Sequence, residues 1–260
     1  MRSKFWNLAI GITTLSFLLL YFPLLCFVVL SGLTKDIVSG DTGWTWSGYT
    51  GLLQNTEVLN ALEISLKTSV ISTIVATILG TISAYAVTRF RFPGRHLMQT
   101  LTLAPMVVPE IVLGLSLLIW FVFLRLTLGQ ASIILAHITF TMSYVHTSVS
   151  ARLTEVDRSL EEAALDLGAR PFEVFFFVVL PNLKSAILSG AMMAFTLAFD
   201  DFFIAFFTAG VGSDTLPLKI YSLTKYGLSL EINALSTLML SATIIVLIWA
   251  TFAKSMTQRR

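Results

Sequence analysis

Three carboxylates stand inside otherwise apolar runs of this 260-residue chain: Glu110, Asp200 and Asp201. Charged side chains are costly among lipid tails and stay there when they serve a path or a partner. A carboxylate can replace the water that an ammonium group loses, and an aromatic face adds cation–π attraction. Phe195, Phe199, Phe202 and Phe203 supply such faces around the aspartate pair. The pattern therefore points to a path for a positively charged solute. The competing reading is that the acids are protonated or pair with a neighbouring chain. Paired carboxylates also support acid–base chemistry, but no substrate cleft or metal cluster accompanies them in the sequence. His137 and His146 lie nine residues apart, on different helix faces, with no Cys or second His at ligand spacing. They are expected to be buried and hydrogen-bonded, and no metal is expected.

The elements that must position these acids are membrane helices. Apolar residues make up 55% of the chain and charged residues 12%, about half the usual charged share of roughly 25%. A spanning helix needs about 20 mostly apolar residues. Six runs qualify, at about 8–30, 68–88, 97–124, 126–151, 185–211 and 232–253. The fold expected is all-α and integral to the membrane, with one transmembrane domain over 1–260. The first run is too long for a signal-peptide core and is read as a retained anchor. Cys26 is the only cysteine, so no internal disulfide can form. With the N-terminus inside, 12 Lys and Arg fall on the cytosolic side and 5 outside. That bias places both termini and the 152–184 loop in the cytosol, and it explains the net charge of +2 without nucleic acid.

Assuming continuous helices, Asp200 lies 16 residues past Lys184 and Glu110 13 residues past Leu97. At about 1.5 Å per residue these are depths of about 24 and 20 Å, in the middle to outer bilayer. Adjacent Asp200 and Asp201 can both border one path only if the helix faces a cavity or is unwound there. Pro105 and Pro109 are expected to kink the third span beside Glu110. Trp44, Trp46 and Tyr49 open an outer segment read as a Gly- and Trp-rich turn before an interfacial helix. An aromatic belt is weighed there against substrate contact by Trp46. The arginines of Arg89–His96 are expected to snorkel to headgroups.

The longest polar stretch is Ser159–Pro181, SLEEAALDLGARPFEVFFFVVLP. Ser159 and Glu162 have capping-box spacing, Gly168 suits a left-handed stop, and Pro171 suits a first helical position. Leu160, Ala163, Ala164 and Leu167 share one face. The enclosed helix is too short to persist alone. A docking surface and an ordinary amphipathic interfacial helix fit these features equally well.

The spacing Glu162-Ala163-Ala164, Gly168, then Val178, Leu180 and Pro181 resembles the EAA loop of ABC-transporter permeases, with Val178 where Ile is common. AFTLAFDD at Ala194–Asp201, TLPLKIYS at Thr215–Ser222, EINALS at Glu231–Ser236, Pro109–Ile111 with Gly114–Leu117, and LAHITF at Leu135–Phe140 are similar to the spermidine/putrescine permeases. The likeness covers almost everything after Trp44, nearest the "C" type subunit, with the putrescine-specific relative nearly as near. Leu230 stands where a Pro often precedes the EIN triplet, and Ala198 where a Ser often precedes the acidic pair; the second bears on fine specificity.

The resemblance implies a type I importer (MetI-like) permease fold in a bacterial inner membrane. It implies a coupling helix, carried by Leu160, Glu162, Ala163, Ala164, Gly168, Leu180 and Pro181, seated on an ATP-hydrolysing subunit. It implies a substrate path with Glu110, Asp200, Asp201, Trp46 and Phe199, and a polyamine cargo. It also implies a heterodimer with a second permease, two ATPase subunits, and a periplasmic or lipid-anchored binding protein. The chain has no G-x-x-x-x-G-K-[ST] loop, so no cofactor is expected in it; ATP and Mg belong to the partner. The alternatives are a permease for ferric iron, an opine or a phosphonate, an intramembrane carboxylate enzyme, or a passive channel or scaffold.

Overall fold

A computed structural model describes residues 2–35, 42–225 and 230–241. Along the chain run α1 (Arg2–Ser31), β1 (Leu33–Lys35), β2 (Thr42–Trp44), α2 (Ser47–Gln54), α3 (Thr56–Arg89), α4 (Arg95–Val107), α5 (Glu110–Phe123), α6 (Gln130–Glu155), α7 (Ser159–Asp166) and α8 (Pro171–Val174). A π-helical turn (Phe175–Val179) follows, then α9 (Leu180–Asp200), α10 (Phe203–Thr208) and α11 (Leu216–Thr224). Residues 230–241 form α12. The chain divides into two compact units, 1–59 with 220–260, and 60–219.

In the first unit β1 and β2 form a small antiparallel ladder, Leu33 opposite Trp44. Ser31 Oγ and Tyr49 Oη share a 2.8 Å hydrogen bond that ties α1 to α2. Asn55 donates to Glu231 of α12 at 3.0 Å and accepts the Val58 amide, so it caps α3 while holding α12. The expected interfacial helix is thus split. α2 is separate, but 56–67 are the first turns of α3, because no proline interrupts Thr56–Arg89. Trp44 and Trp46 are exposed, Trp46 by 76%, and Trp46 packs against Tyr49 at 5.5 Å.

In the second unit α6 is the central helix. It packs against α9, α4 and α10, and α5 packs on α10. Ala84, Val145, Val149, Leu153, Val174, Val179, Leu183 and Ala194 form one buried cluster; Phe121, Ala136, Phe140 and Ile204 form another. Association between membrane helices relies on close packing and interhelical hydrogen bonds rather than hydrophobic burial alone. Accordingly Ser143 donates to Thr102 O at 2.6 Å and Ser148 to Ala186 O at 2.9 Å. Gly190 lets α9 approach until an added Cβ would stand 3.1 Å from Val145 Cα.

Among the described residues three helical runs are long and apolar enough to cross a membrane, Ile10–Ser31, Thr56–Arg89 and Pro171–Asp200. The third expected span is not one helix. α4 and α5 meet at 116°, with Pro105 inside α4 and the break at Val108–Pro109. Proline steers its predecessor out of the helical region, and Val108 is extended at ψ 131. At 13 and 14 residues each half is about 20 Å long, short of a core about 30 Å thick. α6 is 26 residues long but buries Ser132, His137, Thr141, Ser143 and His146 against its neighbours, which lowers its apolarity. The expected fifth span ends at Asp200, not 211, and most of the sixth, 242–253, lies outside the described residues.

Candidate functional site

Two places gather the residues singled out in the sequence, both within the second unit. The first is the break between α9 and α10. α9 stops at Asp200, Asp201 is extended at ψ 128, and α10 begins at Phe203. Asp201 Oδ1 accepts the Ile204 amide at 3.2 Å and Oδ2 the Ala205 amide at 2.8 Å. Oδ2 also lies 3.2 Å from His137 Nε2, and both side chains are 1% exposed. Asp201 is thus the cap of α10 and the partner of a buried histidine on α6. Its neighbour Asp200 is exposed. The unwinding that two adjacent acids require is present, and it turns them in different directions.

Glu110 is the first residue of α5, where unpaired amides favour an anion. It is half-buried and within electrostatic reach of both aspartates. The α5–α10 contact depends on Gly114, where a Cβ would fall 2.9 Å from the Phe207 ring and 3.1 Å from Phe203 O. Phe199 stacks on Phe195 at 5.8 Å, and Phe202 meets Phe203 and Phe206. Glu110, Asp200, Asp201 and Phe199 thus belong to one unit, while Trp46 belongs to the other. His146 is buried and hydrogen-bonded to Ser83 at 3.2 Å, as the sequence led one to expect, and so is His137.

The second place is the segment from Asp157 to Pro181. The expected capping box does not form. Ser159 is already helical, and the Asp157 carboxylate accepts its amide at 2.9 Å. Asp157 thereby takes the amide that Glu162 would accept in a capping box. Those bonds from Ser159 hold the Asp157 carboxyl below its ordinary value. Glu162 turns to Arg158, 3.6 Å away in an exposed pair. Gly168 does end the helix, at φ 91. Its amide reaches Leu165 O and the Ala169 amide reaches Ala164 O, the paired closure of a Schellman stop. Pro171 opens α8, and the Arg170 amide donates to Glu173 at 2.7 Å.

α7 presents two faces. Leu160 (48% exposed), Ala163 and Leu167 (89%) point outward, while Ala164 packs on the core. Glu161 points inward, 2.7 Å from Arg89 Nε at the end of α3, with both side chains about nine-tenths buried. Arg89 therefore does not snorkel. The chain stays helical through Pro181. The π turn carries the chain through, with the Leu180 amide reaching back to Phe175 O, and Asn182 Nδ2 donates to Val178 O at 2.7 Å. Sequence reasoning passed over the Arg89–Glu161 and His137–Asp201 pairings. Their members are 72 and 64 positions apart, beyond any local spacing rule.

A sequence profile for the binding-protein-dependent transport system inner membrane component matches residues 76–259. The chain belongs to that family. It is 42% identical over 259 residues to the putrescine transport system permease protein PotI of Escherichia coli (strain K12), covering 96% of this chain and 92% of that one. It is 35% identical over 238 residues to the spermidine/putrescine transport system permease protein PotC of the same strain, covering 92% and 90%. Among solved structures, this permease-family chain resembles a bacterial ABC transporter involved in the import of the acidic polysaccharide alginate, at TM-score 0.72 and 16% identity over 98% of both chains. It also resembles the MetNI methionine ABC transporter in inward-facing conformations, at TM-score 0.60 and 15% identity over 78% of this chain and 94% of that one. The fold is that of ABC-importer permeases.

Proposed function

We propose that this chain is the permease subunit of an ATP-driven importer that carries polyamines, spermidine or putrescine, into the cytoplasm. The observation that carries the reading is the 42% identity to a putrescine permease across nearly the whole chain. The geometry adds support. Among the described residues Glu110 and Asp200 offer carboxylates without a tight intramolecular partner beside stacked phenylalanines, a setting suited to a protonated amine. Asp201 is committed to capping α10 and to His137, which leaves Asp200 and Glu110 as the acids open to a cargo.

The chain is one transmembrane domain in a bacterial inner membrane, with both termini inside. It pairs with a second permease, the pair carries two ATPase subunits of which one docks on the outward face of α7, and a binding protein delivers cargo. Leu160, Ala163 and Leu167 form the apolar part of that docking face and Glu162 its charged edge. Gly168 fixes where α7 ends, Ala164 seats it on the core, and Leu180 and Pro181 join it to α9. Trp46 contributes to the outer approach. The test is uptake of radiolabelled putrescine and spermidine by the reconstituted complex. ATP-dependent accumulation of either supports the reading, and ATP hydrolysis with accumulation of neither refutes it.

A further inference from the structure

The inward face of α7 carries a feature that docking does not need. Glu161 Oε1 lies 2.7 Å from Arg89 Nε, and Tyr85 Oη donates to Glu161 Oε2 at 3.3 Å. Tyr85 and Arg89 stand one turn apart on α3, so two successive side chains of that helix grip one carboxylate. Arg89 Nη2 also donates to Val156 O at 3.1 Å, where α6 ends, and the Tyr85 ring lies 4.9 Å from Phe175 in the π turn. The ends of α3 and α6, the two-turn α7 and the π turn therefore converge on one ion pair.

We propose that Glu161 and Arg89, braced by Tyr85, are positioning residues that pass displacement of α7 into α3 during the transport cycle. The proposal rests on the permease reading. α7 has eight residues and cannot hold its shape alone, so a push on its outer face moves whatever its inner face grips. Two routes lead inward. The covalent route to α9 crosses the Gly168 stop and the π turn, where the regular hydrogen-bond ladder is interrupted. The route to α3 is a nearly buried ion pair joined to a 34-residue helix. An apolar contact can slide. Separating this pair would strand a charge in a poorly hydrated place, so α7 and the end of α3 move together. Glu162, one residue on, is exposed and lacks this role.

The test uses the complete complex in vesicles, with ATP hydrolysis and uptake measured on the same preparation. E161Q and R89Q retain their ATPase subunits and hydrolyse ATP, but the substrate moved per ATP falls about tenfold, within the range of coupling changes made along such networks. R89Q/E161Q strands no charge and guards against misfolding; it assembles normally and is equally uncoupled. The exchanged pair R89E/E161R recovers most of the ratio, which a purely structural loss would not. An unchanged ratio in R89Q/E161Q overturns the proposal, as does equal loss of hydrolysis and uptake in every variant without recovery in the exchanged pair. If the unmodified complex moves no polyamine, the functional reading fails separately. Stimulation of hydrolysis by the loaded binding protein then carries the comparison: loss in R89Q/E161Q with recovery in R89E/E161R supports the proposal, and unchanged stimulation overturns it.

Discussion

The α7 helix and the α9–α10 break each hold two adjacent acids, and each divides them in the same way. Glu161 and Asp201 turn inward and are fully engaged; Glu162 and Asp200 turn outward. What differs is how the inward acid is compensated. At the end of α3 Glu161 faces a full cation, Arg89. At the α9–α10 break Asp201 faces two backbone amides of the helix it caps and an imidazole. In the proposed function the outward acid meets a partner subunit at one site and a cationic cargo at the other.

The contrast is broken most severely at the deeper site. D201A removes the cap of α10 and leaves His137 and two amides unpaired in a dry place, at a cost of about 3 kcal/mol. The folded yield and melting temperature in detergent should fall accordingly, while D200A leaves both unchanged. A D201A protein that melts with the unmodified one would show that the inward acid is not structural.

The two glycines sharpen the contrast by failing for different reasons. At Gly114 a methyl group meets the Phe207 ring and the backbone of α10, so G114A should cost about 2 kcal/mol through overpacking. At Gly168 nothing lies within 4 Å, but φ is 91; G168A should cost about 1 kcal/mol through backbone strain alone. Thermal unfolding measures both, and G168A should also weaken co-purification of the ATPase subunits while G114A does not. Equal co-purification losses would contradict the separation of the two sites.

The smallest effect is a pH dependence confined to α7. The Asp157 carboxyl is held below its ordinary 3.8 by bonds from Ser159, so the folded form binds its proton less readily than the unfolded form. Its contribution is present above that ordinary value and is lost as pH falls through the lowered one. Hydrogen exchange of the α7 amides should accelerate, relative to intrinsic rates, below about pH 4, and D157N should flatten that response. Identical profiles would remove Asp157 as the cap.

The helix ends were the legible part. Gly168 and Pro171 act through local backbone preferences, which the sequence displays directly. Asp200 and Asp201 were legible as a pair but not as individuals, because the division depends on His137, 64 positions earlier. The capping box was misassigned because Asp157 competes for the same amide. The α4–α5 break was legible as a kink beside Pro109; its 116° depends on how the two halves pack. Arg89 looked like a snorkelling arginine because its partner is remote in sequence.

Uptake by D200N beside D201N, each scored against its own assembled complex, tests the division of the acids most directly. The account predicts that D200N assembles normally and loses uptake by about tenfold, the worth of one charge-assisted hydrogen bond. D201N should instead lose assembled complex, with the uptake of whatever survives close to normal. Full uptake by D200N, or normal assembly of D201N with its uptake abolished, would contradict it.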